Sequence, residues 1–254
     1  MKKQTAFITG ASVGIGRATA LELADQGYQL VLLARRSDKL KELVDQLSVA
    51  THTIVCDIND HSKLQAELTD LPAQFSDIDV LINNAGLALG LSKADEALWQ
   101  DWQTMIQTNC ISLAFITRQL LPAMVSRNVG HIVNLGSIAG NYPYRGGNVY
   151  GATKAFVDQL SINLRADLLG TQVRVTNLAP GMIGNTEFSL VRYHGDEQAA
   201  QSVYEAYAPL TPEDIARTIR WVVSLPAHIN VNSMEIMPTC QAPGGLALAK
   251  NKVS

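Results

Sequence analysis

A tyrosine and a lysine stand four positions apart in the segment NVYGATKAF, as Tyr150 and Lys154. Positions i and i+4 lie on one face of a helix, so a phenol and an ammonium group there can act on the same small volume. A neighbouring cation favours the phenolate, and a phenol with a lowered pKa can exchange a proton with a substrate near neutral pH. A surface Tyr–Lys pair without a function is the commoner origin of such spacing, so the rest of the chain must distinguish the two interpretations.

Further polar residues precede this pair. Ser137 comes thirteen residues before Tyr150, directly after an apolar segment, and the run NNAG at residues 83–86 follows another. Asn109 lies in MIQTNCISL on an otherwise apolar helical stripe, where an asparagine is a poor helix former. Buried amides need hydrogen-bond partners, and a structural core asparagine is the commoner explanation of Asn109 taken alone.

Short β-rich segments alternate with amphipathic helical patterns along the chain. This alternation predicts an α/β fold, with a doubly wound, Rossmann-type parallel sheet of about seven strands and helices on both faces. In that architecture ligands bind beyond the carboxyl ends of the strands, where the polar residues above are expected to lie. The predicted strands are residues 5–9, 29–34, 53–56, 80–83, 131–135, 173–177 and 233–237. The longest predicted helices are residues 102–126 and 150–169.

Three glycines follow the first predicted strand in TGASVGIG, residues 9–16, ahead of the helical pattern RATALELADQG. Glycines at this place let the backbone approach a pyrophosphate, and the helix N-terminus adds N–H groups and a positive dipole. The spacing differs from the standard G-x-G-x-x-G, and glycines after a strand often form ordinary turns. The strand before and the helix after favour a dinucleotide site.

Two arginines follow the second predicted strand. An NAD site usually has an acidic residue there, whereas this chain has Arg35 and Arg36 after Ala34. A guanidinium can bind a 2′-phosphate through two hydrogen bonds, so NADP is favoured over the alternative of two solvated arginines. Asp57, after the third predicted strand, can accept a hydrogen bond from an adenine amino group or can cap the next helix.

These motifs, in the order TGASVGIG, NNAG, Ser137, YGATK and the Pro-Gly pair at 180–181, resemble the short-chain dehydrogenase/reductase family over essentially the whole chain. The resemblance implies one NADP-binding catalytic domain over residues 1–254. It also implies that Tyr150 is the acid/base, Ser137 orients the substrate oxygen, Lys154 binds ribose and lowers the pKa of the phenol, and Asn109 holds a water in a proton relay. Hydride transfer then belongs to the nicotinamide. The implied cofactor contacts are Gly10, Ser12, Gly14, Ile15, Gly16, Arg35, Arg36, Asp57, Ile58, Asn83, Asn84, Tyr150, Lys154, Pro180, Gly181, Ile183 and Thr186.

A narrower likeness lies in NNAGLALG, GGNVYGATKAF, PGMIGNTEFSLVRYHGD and LPAHINVNSMEIMP, which look like the NADP-dependent 3-hydroxy acid dehydrogenases. It implies substrates such as serine, allo-threonine and 3-hydroxypropionate, with a lid-like substrate segment at about 182–210 whose hinges are Gly184 and Gly195. The substrate carboxylate requires a cation or several hydrogen-bond donors near Tyr150. Arg192 in the lid is favoured over Arg145, which departs from the family pattern, and an ordinary surface arginine is the alternative.

The composition of the chain argues against several classes of protein, namely nucleic-acid-binding, metal-binding and membrane-spanning proteins. A net charge of −3 gives no nucleic-acid footprint, and Cys56, Cys110 and Cys240 lack metal-ligand spacing, as expected for a reduced cytoplasmic protein with no metal. No stretch approaches the ~18 apolar residues of a membrane span. Charged residues make up 17% of the chain, below the usual ~25%, and the two long helices are apolar all round, which favours subunit contacts. Members of the resembled family pair through these helices, so we expect a homotetramer.

Two other functions stay open. One is an NADPH-dependent reductase of carrier-bound 3-oxoacyl groups or other carbonyls, although the net charge argues mildly against a basic docking patch for a carrier protein. The other is a non-catalytic nucleotide-sensing protein on the same fold. Such a protein need not keep Asn109, Ser137, Tyr150 and Lys154 together, so an enzyme with a small-molecule substrate is favoured.

Overall fold

The computed structural model describes residues 3–243, so the predicted domain limits at 1 and 254 lie outside the described residues. Its centre is a parallel sheet with the strand order β3-β2-β1-β4-β5-β6-β7. The strands are β1 (Thr5–Thr9), β2 (Gln29–Ala34), β3 (Thr51–Val55), β4 (Val80–Asn83), β5 (Gly130–Leu135), β6 (Val173–Pro180) and β7 (Ser233–Ile236). The order reverses direction between β1 and β4, which confirms the doubly wound prediction and opens a crevice beyond their carboxyl ends.

Helices cover both faces of this sheet. They are α1 (Gly14–Asp25), α2 (Ser37–Val44), α3 (His61–Thr69), α4 (Trp99–Ile106), α5 (Leu113–Arg127), α6 (Asn148–Asp167), α7 (Phe188–Arg192), α8 (Glu197–Ser202) and α9 (Pro212–Ser224). Alternate residues of β1 belong to two separate cores, as the two-residue period of a strand requires. Ala6 and Ile8 pack with residues of α1, α2 and α9, whereas Phe7 packs with residues of α3 and α5.

Two elements differ from the sequence prediction in ways that matter for the site. β6 runs to Pro180, three residues beyond the predicted end, because its last residues pair with β7 after β5 has ended at Leu135. The predicted helix 102–126 is interrupted by a π-helical segment, Gln107–Ser112, between α4 and α5. Such segments are rare and occur often at functional sites. This one contains Asn109.

Candidate active site

A cavity of about 550 Å³ lies beyond the carboxyl ends of the central strands. Its walls come from the loops after β1 to β6 and from the segment at 182–210. The lining contains most of the residues expected to contact a cofactor, namely Gly10, Ser12, Gly14, Ile15, Arg35, Arg36, Asp57, Ile58, Asn84, Tyr150, Lys154, Pro180, Gly181, Ile183 and Thr186. It also contains Ser137 and Arg192. The residues that follow separate strands in the sequence therefore meet at one place.

The glycine turn after β1 is shaped by close packing. Gly10 and Gly14 have positive φ angles of 64° and 53°, which side-chain-bearing residues rarely adopt. A Cβ on Gly16 would lie 2.3 Å from the carbonyl oxygen of Gly10, so this third glycine lets α1 approach the turn and does not line the cavity. The Asn84 amide holds the same turn by donating to the carbonyls of Thr9 (2.9 Å) and Gly10 (3.1 Å). The backbone is therefore set for an anionic ligand.

Asn83, although predicted as a cofactor contact, points away from the cavity. Its Nδ2 donates to Thr117 Oγ1 (2.9 Å) and Asn134 Oδ1 (2.8 Å), and the residue is buried. The Asn83 amide joins β4, β5 and α5, and Asn83 is absent from the described cavity lining, so the predicted cofactor contact at this position stays a prediction.

The two arginines after β2 stand at the outer end of the cavity and face carboxylates. Arg36 pairs with Glu187, with nitrogen–oxygen distances of 3.0 and 2.9 Å. Arg35 lies farther from its acidic neighbour, at 3.8 Å from an Asp57 carboxylate oxygen. The side chains of Arg35 and Arg36 are 73% and 42% exposed. Both guanidinium groups can therefore reach a phosphate at this end of the cavity.

Close packing of glycines places the Ser137 loop against α6. A Cβ on Gly140 would lie 2.8 Å from the backbone of Lys154, and one on Gly151 would lie 2.8 Å from the carbonyl of Ala139. The Ser137 hydroxyl accepts a hydrogen bond from the Ala139 amide at 3.1 Å. This tight contact brings the Ser137 hydroxyl close enough to the Tyr150 phenol to lower the pKa of that phenol.

The Tyr150 phenol is buried, and burial raises its pKa to about 12. The hydrogen bond from Ser137 lowers the pKa, the nearby Tyr144 raises it, and the positive charge of Arg192 lowers it. The sequence predicted that Lys154 would lower the pKa of this phenol. In this structure its ammonium lies 5.9 Å from the centre of the Tyr150 ring, and Ser137 and Arg192 are the groups that oppose the effect of burial.

Lys154 is also buried, and burial lowers the pKa of its ammonium to about 8. Its Nζ donates a hydrogen bond to the carbonyl of Leu135 at 2.7 Å, at the end of β5. A Cβ on Gly86 would lie at an ordinary contact distance of 3.6 Å from the same atom, so the lysine passes close to the NNAG run. The i, i+4 spacing does place Tyr150 and Lys154 in the same cavity wall.

Asn109 is buried and holds the chain after the NNAG run. Its Oδ1 accepts from the Leu87 amide (2.9 Å), and its Nδ2 donates to the Leu87 carbonyl (2.8 Å) and to Thr153 Oγ1 (3.1 Å). These bonds satisfy the amide in the way that a structural core asparagine requires. Asn109 does not line the cavity in the described part of the chain, although its Oδ1 would lie 3.2 Å from a Cβ on Gly86.

The structure separates the two candidate arginines. The guanidinium of Arg192 lies 5.3 Å from the centre of the Tyr144 ring and 5.5 Å from that of Tyr150, and its Nη2 donates to the Tyr144 hydroxyl at 2.5 Å. Arg145 is exposed and is absent from the described cavity lining. Arg192 therefore lies beside Tyr150, whereas Arg145 does not line the described cavity, and the binding of the substrate carboxylate by either arginine stays a prediction.

The segment at 182–210 closes one side of the cavity and is anchored at both ends. Its ends are joined by the Leu210 amide, which donates to the Met182 carbonyl at 3.0 Å. Its middle contacts the loop after β4, because the Gly90 amide donates to the Arg192 carbonyl at 2.9 Å. Gly195 has a φ of 93°, which favours glycine at this position, whereas a Cβ on Gly184 would lie 2.6 Å from Pro209, so close packing explains that glycine.

Sequence reasoning missed several cavity residues. Tyr144 and Phe188 line the cavity beside Tyr150, and the ring centres of Phe188 and Tyr150 are 5.8 Å apart. Gln241 is buried, and its Oε1 accepts from the Met182 amide at 2.8 Å, at the base of the lid. A Cβ on Gly181 would lie 2.2 Å from that oxygen, so the Pro-Gly pair was a signal for a close neighbour at this position.

Comparison with known proteins agrees with this arrangement. Residues 4–194 match the family model of the short chain dehydrogenases. An NADP-dependent 3-hydroxy acid dehydrogenase of Salmonella typhi is 49% identical over 245 residues, which cover 96% of this chain and 99% of the relative. A serine 3-dehydrogenase of Agrobacterium fabrum is 48% identical over 241 residues, covering 95% of this chain and 96% of the relative.

Two solved structures of serine dehydrogenases have a fold similar to that of this chain. The closed form of a serine dehydrogenase complexed with NADP⁺ has a TM-score of 0.94 and 46% identity, covering 98% of this chain and 100% of that chain. A serine dehydrogenase from Escherichia coli has a TM-score of 0.83 and 44% identity, covering 94% and 100%. The family expected from the motifs is confirmed: this chain belongs to the short-chain dehydrogenase family.

Proposed function

We propose that the protein is an NADP-dependent oxidoreductase that interconverts a small 3-hydroxy acid and its 3-oxo acid or semialdehyde. The observation that carries this proposal is the position of Arg192, whose guanidinium lies 5.5 Å from the ring centre of the buried Tyr150. A 3-hydroxy acid carries a carboxylate two carbons from its reacting hydroxyl. A cation beside the acid/base therefore matches both ends of such a substrate.

The shape and charge of the cavity fit a dinucleotide with a 2′-phosphate. The positive-φ glycines bring backbone N–H groups and the start of α1 to the place where a pyrophosphate would lie, which is the usual anion site of this architecture. Arg35 and Arg36 would hold the 2′-phosphate, and Asp57 and Ile58 would border the adenine. The remaining cofactor contacts that we propose are Ser12, Ile15, Asn84, Tyr150, Lys154, Pro180, Gly181, Ile183 and Thr186.

The bound nicotinamide would supply the hydride chemistry, and the chain's own residues would move the proton. Tyr150 would exchange the proton with the substrate oxygen, which the nearby Ser137 hydroxyl would orient by donating a hydrogen bond to it. Lys154 would hold the ribose and add positive charge. Asn109 would position Leu87 through its two hydrogen bonds and would hold the water of a proton relay.

The substrate end of the cavity would bind the carboxylate through Arg192. Its guanidinium is packed on Tyr144, a rigid aromatic surface that limits the motion of the side chain. An oriented guanidinium can bind a carboxylate with two parallel hydrogen bonds and so place the carbinol carbon for hydride transfer. The lid residues 182–210 would exclude water during that step.

We also propose a cytoplasmic homotetramer. Apolar side chains on α5, α6 and the π-helical segment are exposed in the single chain, and they are Ile111, Val125, Phe156 and Ile162. Burial of such a surface between subunits would remove it from water. No helix among the described residues is long and apolar enough to cross a membrane. Sedimentation that gave a monomer at micromolar concentration would contradict the tetramer.

The experiment for the proposed activity is a substrate panel with both cofactors. Serine, allo-threonine and 3-hydroxypropionate should be oxidised with NADP⁺, and neutral alcohols of the same size should be poor substrates. NAD⁺ should support a much lower catalytic efficiency. A higher efficiency with carrier-bound 3-oxoacyl groups would favour the reductase alternative, and cofactor binding without turnover of any substrate would favour a nucleotide sensor.

A further inference from the structure

Arg36 and Glu187, which both line the cavity proposed for the cofactor, form an ion pair with each other. Arg36 lies directly before α2, and Glu187 lies directly before α7 in the lid, 151 residues away in the chain. The two terminal guanidinium nitrogens of Arg36, Nη1 and Nη2, donate to the two Glu187 carboxylate oxygens at 3.0 and 2.9 Å. Both residues line the cavity. The pair therefore joins the cofactor-binding wall to the start of the lid.

Glu187 occupies the donors that a 2′-phosphate needs. A guanidinium presents its N–H groups in a fixed planar fork, and it binds carboxylates and phosphates with the same side-by-side geometry. The two anions therefore compete for Arg36. Arg35 is different, because its contact with Asp57 is 3.8 Å long and involves one nitrogen, which leaves its donors available.

We propose that Glu187 is a specificity-determining residue that opposes binding of the 2′-phosphate, and that the phosphate must displace it from Arg36. The inference rests on the proposed use of NADP. Displacement exchanges one anion for another at Arg36, so the two anions bind this guanidinium alternately. If Glu187 stays nearby after the exchange, its charge repels the phosphate, which changes affinity in the same direction.

The expected effect is selective for the phosphorylated cofactor. Exposed ion pairs contribute little to folding, and both side chains here are about half exposed. Removal of the competing carboxylate should therefore leave stability nearly unchanged while it tightens NADP⁺ binding by about two- to fivefold, which equals ~0.4–1 kcal/mol at 1.4 kcal/mol per tenfold. Affinity for NAD⁺, which has no 2′-phosphate, should stay the same.

The test is calorimetric binding of NADP⁺ and of NAD⁺, without substrate, to the full-length protein and to Glu187→Gln. The glutamine keeps the size of the side chain and removes its charge. Glu197→Gln is the matched control, since Glu197 is exposed on the same lid segment and forms no ion pair with a described residue. In the Arg36→Gln background, Glu187→Gln should have no effect on the affinity ratio, because the two substitutions act through one contact.

Three results would overturn the inference. Equal tightening of both cofactors would indicate a general charge effect, and no change would indicate a surface pair of no consequence. Weaker NADP⁺ binding in Glu187→Gln would mean that Glu187 holds Arg36 in place for the phosphate. Failure of the proposed NADP preference is seen separately, as equal affinity of the unmodified protein for the two cofactors.

Discussion

The half of the cavity around Tyr150 and Lys154 and the half around Arg35 and Arg36, which we propose for catalysis and for nucleotide binding, hold their charges in different ways. Tyr150 and Lys154 are buried, and packing against the Ser137 loop and Leu135 orients them before any ligand arrives. Arg35 is largely exposed, Arg36 is about half exposed, and both face carboxylates of the same chain. Buried groups pay a desolvation cost that shifts their pKa values, whereas exposed groups are screened by water. Changes in the buried half should therefore have the larger effects.

The largest effect is expected from Tyr150→Phe. Turnover of a 3-hydroxy acid should fall by about 10³-fold, because the phenol is the proposed proton-transfer group and general acid–base catalysis contributes on this order. Cofactor affinity should change little, since the ring packs as before. The measurement is kcat beside a cofactor titration, with the remote buried Tyr28→Phe as control. Near-normal turnover would remove the phenol from the mechanism.

The next largest effect is expected from Arg192→Ala. Loss of a charge-assisted contact of roughly 1.5–3 kcal/mol should raise the KM for serine by about 10- to 100-fold. A neutral alcohol of similar size should be barely affected, because it has no carboxylate to lose. Arg145→Ala, exposed and outside the cavity lining, is the control and should resemble the unmodified enzyme. Equal losses on charged and neutral substrates would show that Arg192 does not bind the carboxylate.

A smaller effect is expected in the nucleotide half. Arg35→Gln should raise the KM for NADP⁺ by about 10-fold, the equivalent of one charge-assisted hydrogen bond. The KM for NAD⁺ should not change, and the loss should diminish at high salt because the side chain is exposed. Steady-state kinetics at two salt concentrations provide the measurement. An equal rise for both cofactors would contradict a phosphate contact.

The smallest effect is expected in the way the free energy of unfolding depends on pH. Lys154 has a pKa of about 8 in the folded protein against 10.5 for the free side chain, so between these values the unfolded chain binds more protons. Burial of the charged ammonium therefore destabilises the folded protein fully below pH 8, and this destabilisation decreases as the pH rises towards 10.5. The free energy of unfolding should therefore increase by roughly 1 kcal/mol between pH 7 and 9 relative to Lys154→Met. Parallel pH profiles for the two proteins, measured with denaturant, would refute this.

Local patterns predicted much of the fold and site. The strands 5–9, 29–34 and 80–83 were placed at their observed positions, because buried parallel strands are short apolar runs with clear ends. The glycine turn and the i, i+4 pair were recognisable because their geometry depends on neighbouring residues. The π-helical segment around Asn109 was not predicted, since nothing in the helical period distinguishes one extra residue per turn.

Contacts between residues that are distant in the sequence could not be predicted from local patterns. Asn83 and Asn84 read alike in sequence, and only the orientation of β4 decides that Asn84 faces the glycine turn and Asn83 faces β5. The partner of Arg36 is equally hidden, because Glu187 comes next to it only when the lid folds over the sheet.

The sequence by itself determined the type of fold, the family and the residue types available for proton transfer and anion binding. Only the tertiary structure decided which arginine reaches Tyr150, which asparagine lines the cavity, and in which direction the pKa values of Tyr150 and Lys154 are shifted. The physical reason is that burial and charge–charge distance depend on how distant segments pack, and no local spacing specifies either quantity.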